Sequence, residues 1–180
     1  MSTTPYTPTS EDVASAGVIT SWRIADGKIR TGRPEDGTEK SLDNVVGLPL
    51  RFGIVPEGTT NEGVTIPEKF RIVLKLAETG ENFSLHCRLD STQARMLMGG
   101  LSLWDGRSYI SITPRRSDKP NKYGKHVTYV NIKECKGPNQ WLELRHDSSG
   151  MDWDDMPAEL AAELANFPEW KPWAPRGEEL

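Results

Sequence analysis

Two neighbouring runs of alternating apolar and polar residues constrain the fold of this chain more than any other feature. The runs are KFRIVLKLA, which starts at Lys69, and NFSLHCRL, which starts at Asn82, and the short connection between them contains Gly80. Successive side chains of a β-strand point to opposite faces, so this pattern predicts an antiparallel hairpin with one buried and one solvated face. The residues expected on the buried face are Phe70, Ile72, Leu74, Leu76, Phe83, Leu85, Cys87 and Leu89.

Similar signals predict further strands on both sides of this hairpin. Apolar residues alternate over residues 48–54 before it, and alternating runs follow over residues 108–116 and 126–134. Nearer the start of the chain, Asp26-Gly27 lies between two runs rich in β-forming residues. An Asp-Gly pair in that position favours a tight hairpin turn, so we predict an additional N-terminal hairpin.

A short helix is predicted directly after the central hairpin. Asp90 is a candidate N-cap, Gln93 follows three residues later as in a capping box, and Gly99-Gly100 is expected to end the helix. Its apolar stripe is most simply explained by core packing. The stripe consists of Ala94, Leu97, Met98 and Leu101.

The net charge of −4 conceals a strong asymmetry along the chain. Residues 1–104 carry 11 basic and 13 acidic side chains, residues 105–146 carry 9 basic and 4 acidic ones, and residues 147–180 carry 2 basic and 9 acidic ones. A basic segment is therefore followed by an acidic end. Such blocks of one charge often mark contacts with charged partners.

The basic segment is concentrated in one long loop between the last two predicted strands. Residues 114–125 read PRRSDKPNKYGK, whereas hairpin loops usually have about two to five residues. Positive charges attract phosphates whatever the base sequence, and unpaired bases stack on aromatic rings. We therefore interpret this loop, called the basic arm below, as a contact for single-stranded nucleic acid.

The order of elements over residues 48–132 is strand, strand, strand, helix, strand, strand. This order, the basic arm between strands four and five, and the acidic end resemble the OB-fold single-stranded DNA-binding proteins of phages and bacteria. The resemblance covers about half of the chain. It implies a mainly β fold in which a five-stranded barrel carries an added N-terminal hairpin, one short helix between strands 3 and 4, and an acidic C-terminal helix or tail. It also implies that a single strand crosses the middle strands, with the basic arm as one rim.

The candidate nucleic-acid-binding side chains are cationic or aromatic groups on the solvated face of the hairpin, around strand four and in the basic arm. They are Arg71, Lys75, His86, Arg88, Arg107, Tyr109, Arg115, Arg116, Lys119, Lys122, Tyr123, Lys125 and Tyr129. Polar residues are also expected on the solvated face of any half-buried sheet. Trp22 and Trp104 are able to stack on bases as well, but their positions favour core packing.

The acidic end contains one predicted helix, over residues 157–166, and three of the six tryptophans. It resembles the acidic tails with which single-stranded DNA-binding proteins recruit replication and recombination partners, although it lacks the terminal Pro-Phe of the bacterial tails. The alternative is a helix that packs on the domain. The candidate partner-binding residues are Trp153, Leu160, Leu164, Trp170 and Trp173.

Other classes of site find little support in the sequence. No phosphate-binding loop, nucleophile elbow or zinc-ligand motif occurs, and Cys87 and Cys135 form no C-x-x-C pattern, so we expect no enzyme activity, no metal and no cofactor. No long apolar run or secretory leader is found, which favours a cytoplasmic protein, in the host cytoplasm if a phage encodes it.

The favoured interpretation is a sequence-tolerant single-stranded DNA-binding protein, active in phage DNA replication or recombination. Binding of RNA and formation of homo-oligomers stay open in this interpretation. It divides the chain into a flexible N-terminus (1–16), an OB-like domain (17–146) and an acidic tail (147–180). Two alternatives stay open: a protein-interaction or inhibitor module that uses the acidic end, and a structural β-domain of a virion.

Overall fold

One curled sheet of nine strands makes up most of the structure, a computed structural model that describes residues 21–31 and 40–174. The predicted mainly β fold is confirmed, with two helices and a separate two-stranded hairpin in the described residues. The strands are β1 (Ser21–Ala25), β2 (Lys28–Thr31), β3 (Ser41–Leu42), β4 (Val45–Val55), β5 (Gly58–Thr59), β6 (Thr65–Ile66), β7 (Lys69–Leu76), β8 (Asn82–Arg88), β9 (Ile110–Arg116), β10 (Thr128–Gly137) and β11 (Gln140–Glu143). The helices are α1 (Thr92–Ser102) and α2 (Met156–Leu164).

The strands follow the order β11, β10, β9, β4, β7, β8, β1, β2 and β3 across the sheet. All neighbours are antiparallel except β8 and β1, which run parallel. The strands predicted between residues 48 and 132 are β4, β7, β8, β9 and β10, and they occupy five consecutive positions. The sheet is wider than expected, because β11 extends it at one edge and β1, β2 and β3 extend it at the other.

The alternation that predicted the central hairpin corresponds to burial in the structure. Every expected inward side chain from Phe70 to Cys87 is buried, and Leu89 packs against the core while partly exposed. Ser84 is an exception on the opposite face, because it is buried as well. Its hydroxyl accepts a hydrogen bond of 2.7 Å from Nε of Arg71, which satisfies its polar group.

The curl of the sheet brings its N-terminal hairpin to the base of the basic arm. The predicted turn is present, with positive φ angles at Asp26 (52°) and Gly27 (73°), as type I′ turns require. The Gly27 amide donates to the hydroxyl of Thr128 over 3.0 Å. A Cβ atom at Gly27 would lie 2.7 Å from the amide nitrogen of Arg116, so only glycine permits this approach.

Helix α1 is present, but two details of its prediction are wrong. Ser91 is the N-cap, since its hydroxyl accepts from the Ala94 amide, whereas Asp90 pairs with Arg88 through both carboxylate oxygens. The Gly99-Gly100 pair lies inside the helix. A Cβ atom at Gly100 would lie 2.6 Å from a methyl group of Ile132, so close packing on β10 explains that glycine.

The acidic C-terminal segment is packed on the domain. Helix α2 buries Met156, Leu160 and Leu164 in the core and contacts α1. After α2, the chain pairs with the edge of β4, where the Phe52 amide donates to the Glu169 carbonyl over 3.0 Å. This packing corresponds to the alternative in which the C-terminal helix packs on the domain.

Predictions for residues 1–20 lie outside the described residues, including the flexible N-terminus and the start of the first strand. In the part of the chain that is described, neither helix has the length and apolar character needed to cross a membrane.

We expect Gly27→Ala to destabilise the domain by at least about 1 kcal/mol more than Gly63→Ala. Both glycines have positive φ (73° and 79°), so both substitutions carry the same cost of a left-handed alanine, about 1–2 kcal/mol. The added methyl meets Arg116 only at Gly27, since nothing lies within 4 Å at Gly63. Urea unfolding measures both free energies, and equal losses would contradict close contact between the turn and the arm.

We expect Leu160→Ala to reduce the free energy of unfolding of the whole domain by about 2–5 kcal/mol, because this side chain is fully buried. The control is Glu159→Ala at an exposed position of the same helix, with an expected change within about 0.5 kcal/mol. A single urea transition, followed by tryptophan fluorescence and by circular dichroism, measures the effect. Unchanged stability in Leu160→Ala would show that α2 is not docked in solution.

Candidate nucleic-acid interface

The basic arm is an ordered extension of the β9–β10 hairpin, closed by hydrogen bonds at its base and at its tip. At the base, the Ser117 amide donates to the Val127 carbonyl over 2.8 Å, and the Val127 amide donates to the Ser117 hydroxyl over 3.0 Å. At the tip, the side-chain oxygen of Asn121 accepts from the amides of Tyr123 (2.9 Å) and Lys125 (3.1 Å). These bonds hold the arm in one shape, which reduces the entropy lost when a ligand binds.

The five cations of the arm and its base are displayed to solvent. All five side chains are exposed, and within residues 21–31 and 40–174 no carboxylate oxygen lies within 4.0 Å of their charged nitrogens. Tyr123 at the tip is 73% exposed, and the Lys122 ammonium lies 5.1 Å from its ring centroid. The five residues are Arg115, Arg116, Lys119, Lys122 and Lys125.

The outer face of the β9–β10 hairpin continues the arm along the sheet. Arg115 and Tyr129 are register partners, and the guanidinium carbon of Arg115 lies 5.3 Å from the Tyr129 ring centroid. Tyr109 precedes β9 at an even spacing from Arg115, so the alternation places both on the same face. The Tyr109 side chain is 40% exposed, which agrees with its predicted outward position. Arg107 is highly exposed, and its Nε lies 4.0 Å from Oδ2 of Asp105. Cations and rings are thus distributed along one hairpin.

The solvated face of the central hairpin is less accessible than predicted. Arg71 is half-buried, donates to Ser84, and has its guanidinium carbon 4.8 Å from the Trp173 ring centroid. Arg88 forms a bidentate ion pair with Asp90, and Lys75 is exposed. Of these three residues, Lys75 alone is exposed and has no ion pair within the described residues.

His86 lies in a cluster of cations on this face. It is the register partner of Arg71 on β7 and of Arg23 on β1. Burial, together with the charges of Lys69, Arg71 and Arg23, lowers the pKa of His86 from 6.5 to about 3. The imidazole is therefore neutral at physiological pH, so His86 contributes no positive charge for binding phosphate.

A second basic region lies beside the base of the arm. A cavity of about 420 Å³ is lined by Arg23, Ala25, Lys69 and Arg88, together with His86 and residues of the small β5–β6 hairpin. Two residues after Ala25, Gly27 contacts Arg116. The turn between β1 and β2 therefore links this cavity to the arm.

The remaining aromatic candidates lie mainly in the core. Trp22 and Trp104 are buried, as their sequence positions favoured, and the Trp104 indole donates to the Ser108 carbonyl over 2.8 Å. Among the candidate partner-binding residues of the acidic end, Leu160, Leu164 and Trp173 are buried and Trp170 is half-buried against Phe52. These four do not form an exposed partner surface. Trp153 is the exposed member, with half of its surface accessible.

Sequence reasoning missed two arginines, Arg95 and Arg145, that line a cavity together with Arg115, Tyr129 and Trp153. Arg95 lies beside the apolar stripe of α1, and Arg145 follows β11 in a run without a clear period. Their common position depends on contacts between distant segments, and no local signal indicated it.

The described residues contain no group of three or more His, Cys, Asp or Glu side chains that could hold a metal ion. Both cysteines are free thiols, and burial raises the pKa of the Cys87 thiol to about 12, so it is not activated as a nucleophile. Comparisons with models of known families, with curated proteins and with solved structures find no match to this chain.

We expect the stability of the domain to fall as the pH is lowered from 6.5 toward 3, partly because of His86. In this window the unfolded state binds a proton at the imidazole and the folded state does not, so acid favours unfolding. In His86→Gln, the loss of stability between pH 8 and pH 5 should be smaller than in the wild type by about 2 kcal/mol. Urea unfolding at both pH values measures this difference. Identical pH dependence in both proteins would mean that the folded state does protonate His86 in this range.

Proposed function

We propose that this protein binds single-stranded DNA, with little preference for sequence, through the basic arm and the outer face of the β9–β10 hairpin. The observation that carries the proposal is the set of five exposed cations without described carboxylate partners, held on an ordered loop next to exposed tyrosines. Phosphates of any strand satisfy these charges, and Tyr109, Tyr123 and Tyr129 offer rings to unpaired bases. A duplex keeps its bases stacked, so the rings favour a single strand.

The strand order supports an OB-like interpretation of the domain. The strands β10, β9, β4, β7 and β8 are consecutive in the sheet, α1 connects β8 to β9, and the arm connects β9 to β10. In OB-folds, nucleic acid binds on the barrel face beside the loop between strands four and five, which corresponds here to the arm. A cytoplasmic role in phage or bacterial DNA replication or recombination follows from the same interpretation and is part of the proposal.

The alternative of a partner-recruiting acidic tail is less well supported. Its apolar residues Leu160, Leu164 and Trp173 are buried within the domain, so they are not displayed to a partner. Deleting residues 147–180 would also remove core residues, so loss of function in that deletion would not distinguish binding from folding. Substitutions on the arm surface provide the cleaner test.

The double charge reversal Arg115→Glu with Arg116→Glu should weaken binding to a fluorescent dT oligomer and flatten its salt dependence. Each lost phosphate contact with a single strand lowers the slope of log K against log salt by about 0.7. Fluorescence anisotropy titrations at two or more salt concentrations give both the affinity and the slope. The control is Lys171→Glu, a charge reversal at an exposed position outside the arm and the β9–β10 hairpin. The change of slope per reversed charge is expected to be smaller in this control than in the arm variant.

An unchanged slope in the arm variant would show that the arm does not contact phosphate. Failure of the wild type to bind the oligomer even at low salt would overturn the proposed function itself. Tighter binding to the duplex than to the single strand would contradict the role of the rings.

A further inference from the structure

A cavity of about 360 Å³ lies between α1, the start of β10 and the segment 143–156, and the proposed function does not account for it. Its volume falls within the range of small-molecule sites, about 300–1,000 Å³. The lining includes three cations and two large aromatic residues. These are Arg95, Arg115, Arg145, Tyr129 and Trp153.

The electrostatics of this cavity favour an anion, because its lining holds three arginines and a single carboxylate, that of Glu143. Arg95 is only 6% exposed, and its guanidinium donates to neutral groups, the Trp153 carbonyl (3.0 and 2.9 Å) and the Ser91 carbonyl (3.1 Å). Within the described ranges, no carboxylate lies within 4.0 Å of the guanidinium of Arg95, Arg115 or Arg145. A buried cation without a counter-charge is costly, so an incoming anion is stabilised here.

The aromatic residues of the lining favour a flat group next to that anion. The guanidinium carbon of Arg95 lies 4.1 Å from the Trp153 ring centroid, in the same kind of stack that Arg115 forms with Tyr129. Trp153 remains 50% exposed despite this contact, so part of its surface is accessible. Exposed aromatic rings beside arginines are the usual platforms for unpaired bases.

The edge of β10 adds polar backbone groups. Pro114 is the register partner of Val130 and has no N–H, and hydrogen-bonded and non-bonded pairs alternate along an antiparallel ladder. The N–H and C=O of Val130 therefore point away from β9. They have no described partner within residues 21–31 and 40–174, because the pairing on this side of β10 ends at Ile132, whose carbonyl accepts from the Leu144 amide over 2.8 Å. Val130 lines the cavity, so these groups are placed to bond the edge of a base.

We infer that this cavity binds one nucleotide unit, with its phosphate against Arg115 and Arg145 and its base against Trp153 and the β10 edge. The inference rests on the proposed function, because Arg115 and Tyr129 belong both to the outer face of the hairpin and to the cavity lining. A strand that follows the arm reaches the cavity at these two residues. The same chemistry also fits a free nucleoside monophosphate, and the experiment separates the two sources.

The test is isothermal titration calorimetry of the full chain with thymidine 5′-monophosphate, thymidine and inorganic phosphate, followed by competition with a dT oligomer. We expect the monophosphate to bind more tightly than either of its parts. Arg145→Ala should weaken this binding by roughly tenfold, as loss of a charged hydrogen bond does. The matched control, Lys171→Ala, removes an exposed cation after α2, outside both the cavity and the β9–β10 hairpin, and should leave the affinity unchanged.

Each outcome has a defined meaning. Displacement of the bound monophosphate by the oligomer assigns the cavity to a nucleotide of the strand, and simultaneous binding of both assigns it to a free nucleotide. Equal affinity for inorganic phosphate and the monophosphate, or an unchanged affinity in Arg145→Ala, would overturn the inference. The inference and the proposed function can fail independently. If the oligomer binds with full salt dependence while the monophosphate does not bind, the inference about the cavity is wrong and the proposed function stands.

Discussion

The architecture depends on how the two edges of β4 are paired. One edge pairs with β7 from Gly47 to Val55, whereas the other pairs with β9 only from Val45 to Gly47. Beyond Gly47, residues 169–173 pair with this edge of β4 instead of β9. Backbone hydrogen bonds join Phe52 to both Glu169 and Lys171, and Ile54 to Trp173. Gly53 makes this approach possible, since a Cβ atom there would lie 2.9 Å from the Lys171 carbonyl. Because β9 pairs with β4 over three residues only, the rest of the β9–β10 hairpin extends away from β4. Its far end, which bears the arm, lies against the turn at Gly27.

The sequence predicted those elements whose signals are local. Period-two alternation identified β4 and β7 to β10, because each of these strands buries one face, and Asp26-Gly27 identified a turn that needs two positive φ angles. The arm was identified from length and charge, which do not depend on tertiary contacts. Helix α1 was identified although its cap was misassigned, because Asp90 and Ser91 are both good capping residues and only the ion pair with Arg88 decides between them.

The missed features all depend on contacts between distant segments. Residues 169–173 pair with β4 from more than a hundred positions away, and Pro168 before this segment and Pro172 within it suppress any strand signal. The accessibility of Arg71 could not be predicted, because Trp173, which lies over it, comes from that segment. The cavity beside β10 combines side chains from α1, β9, β10 and the acidic end, so no single stretch of sequence contains it.

The acidic end is held to the domain by the buried side chains of α2, by its tryptophans and by its backbone. Arg51 donates to the carbonyls of Lys171 and Pro172 and has its guanidinium carbon 3.8 Å from the Trp173 ring centroid, and Arg95 contacts both the ring and the carbonyl of Trp153. These contacts cover aromatic rings and satisfy carbonyls, so salt weakens them less than it weakens exposed ion pairs. The exposed cations of the arm respond to salt through released counterions instead. The two regions therefore differ in their sensitivity to salt. Added salt weakens phosphate binding at the arm under conditions that leave the C-terminal segment docked.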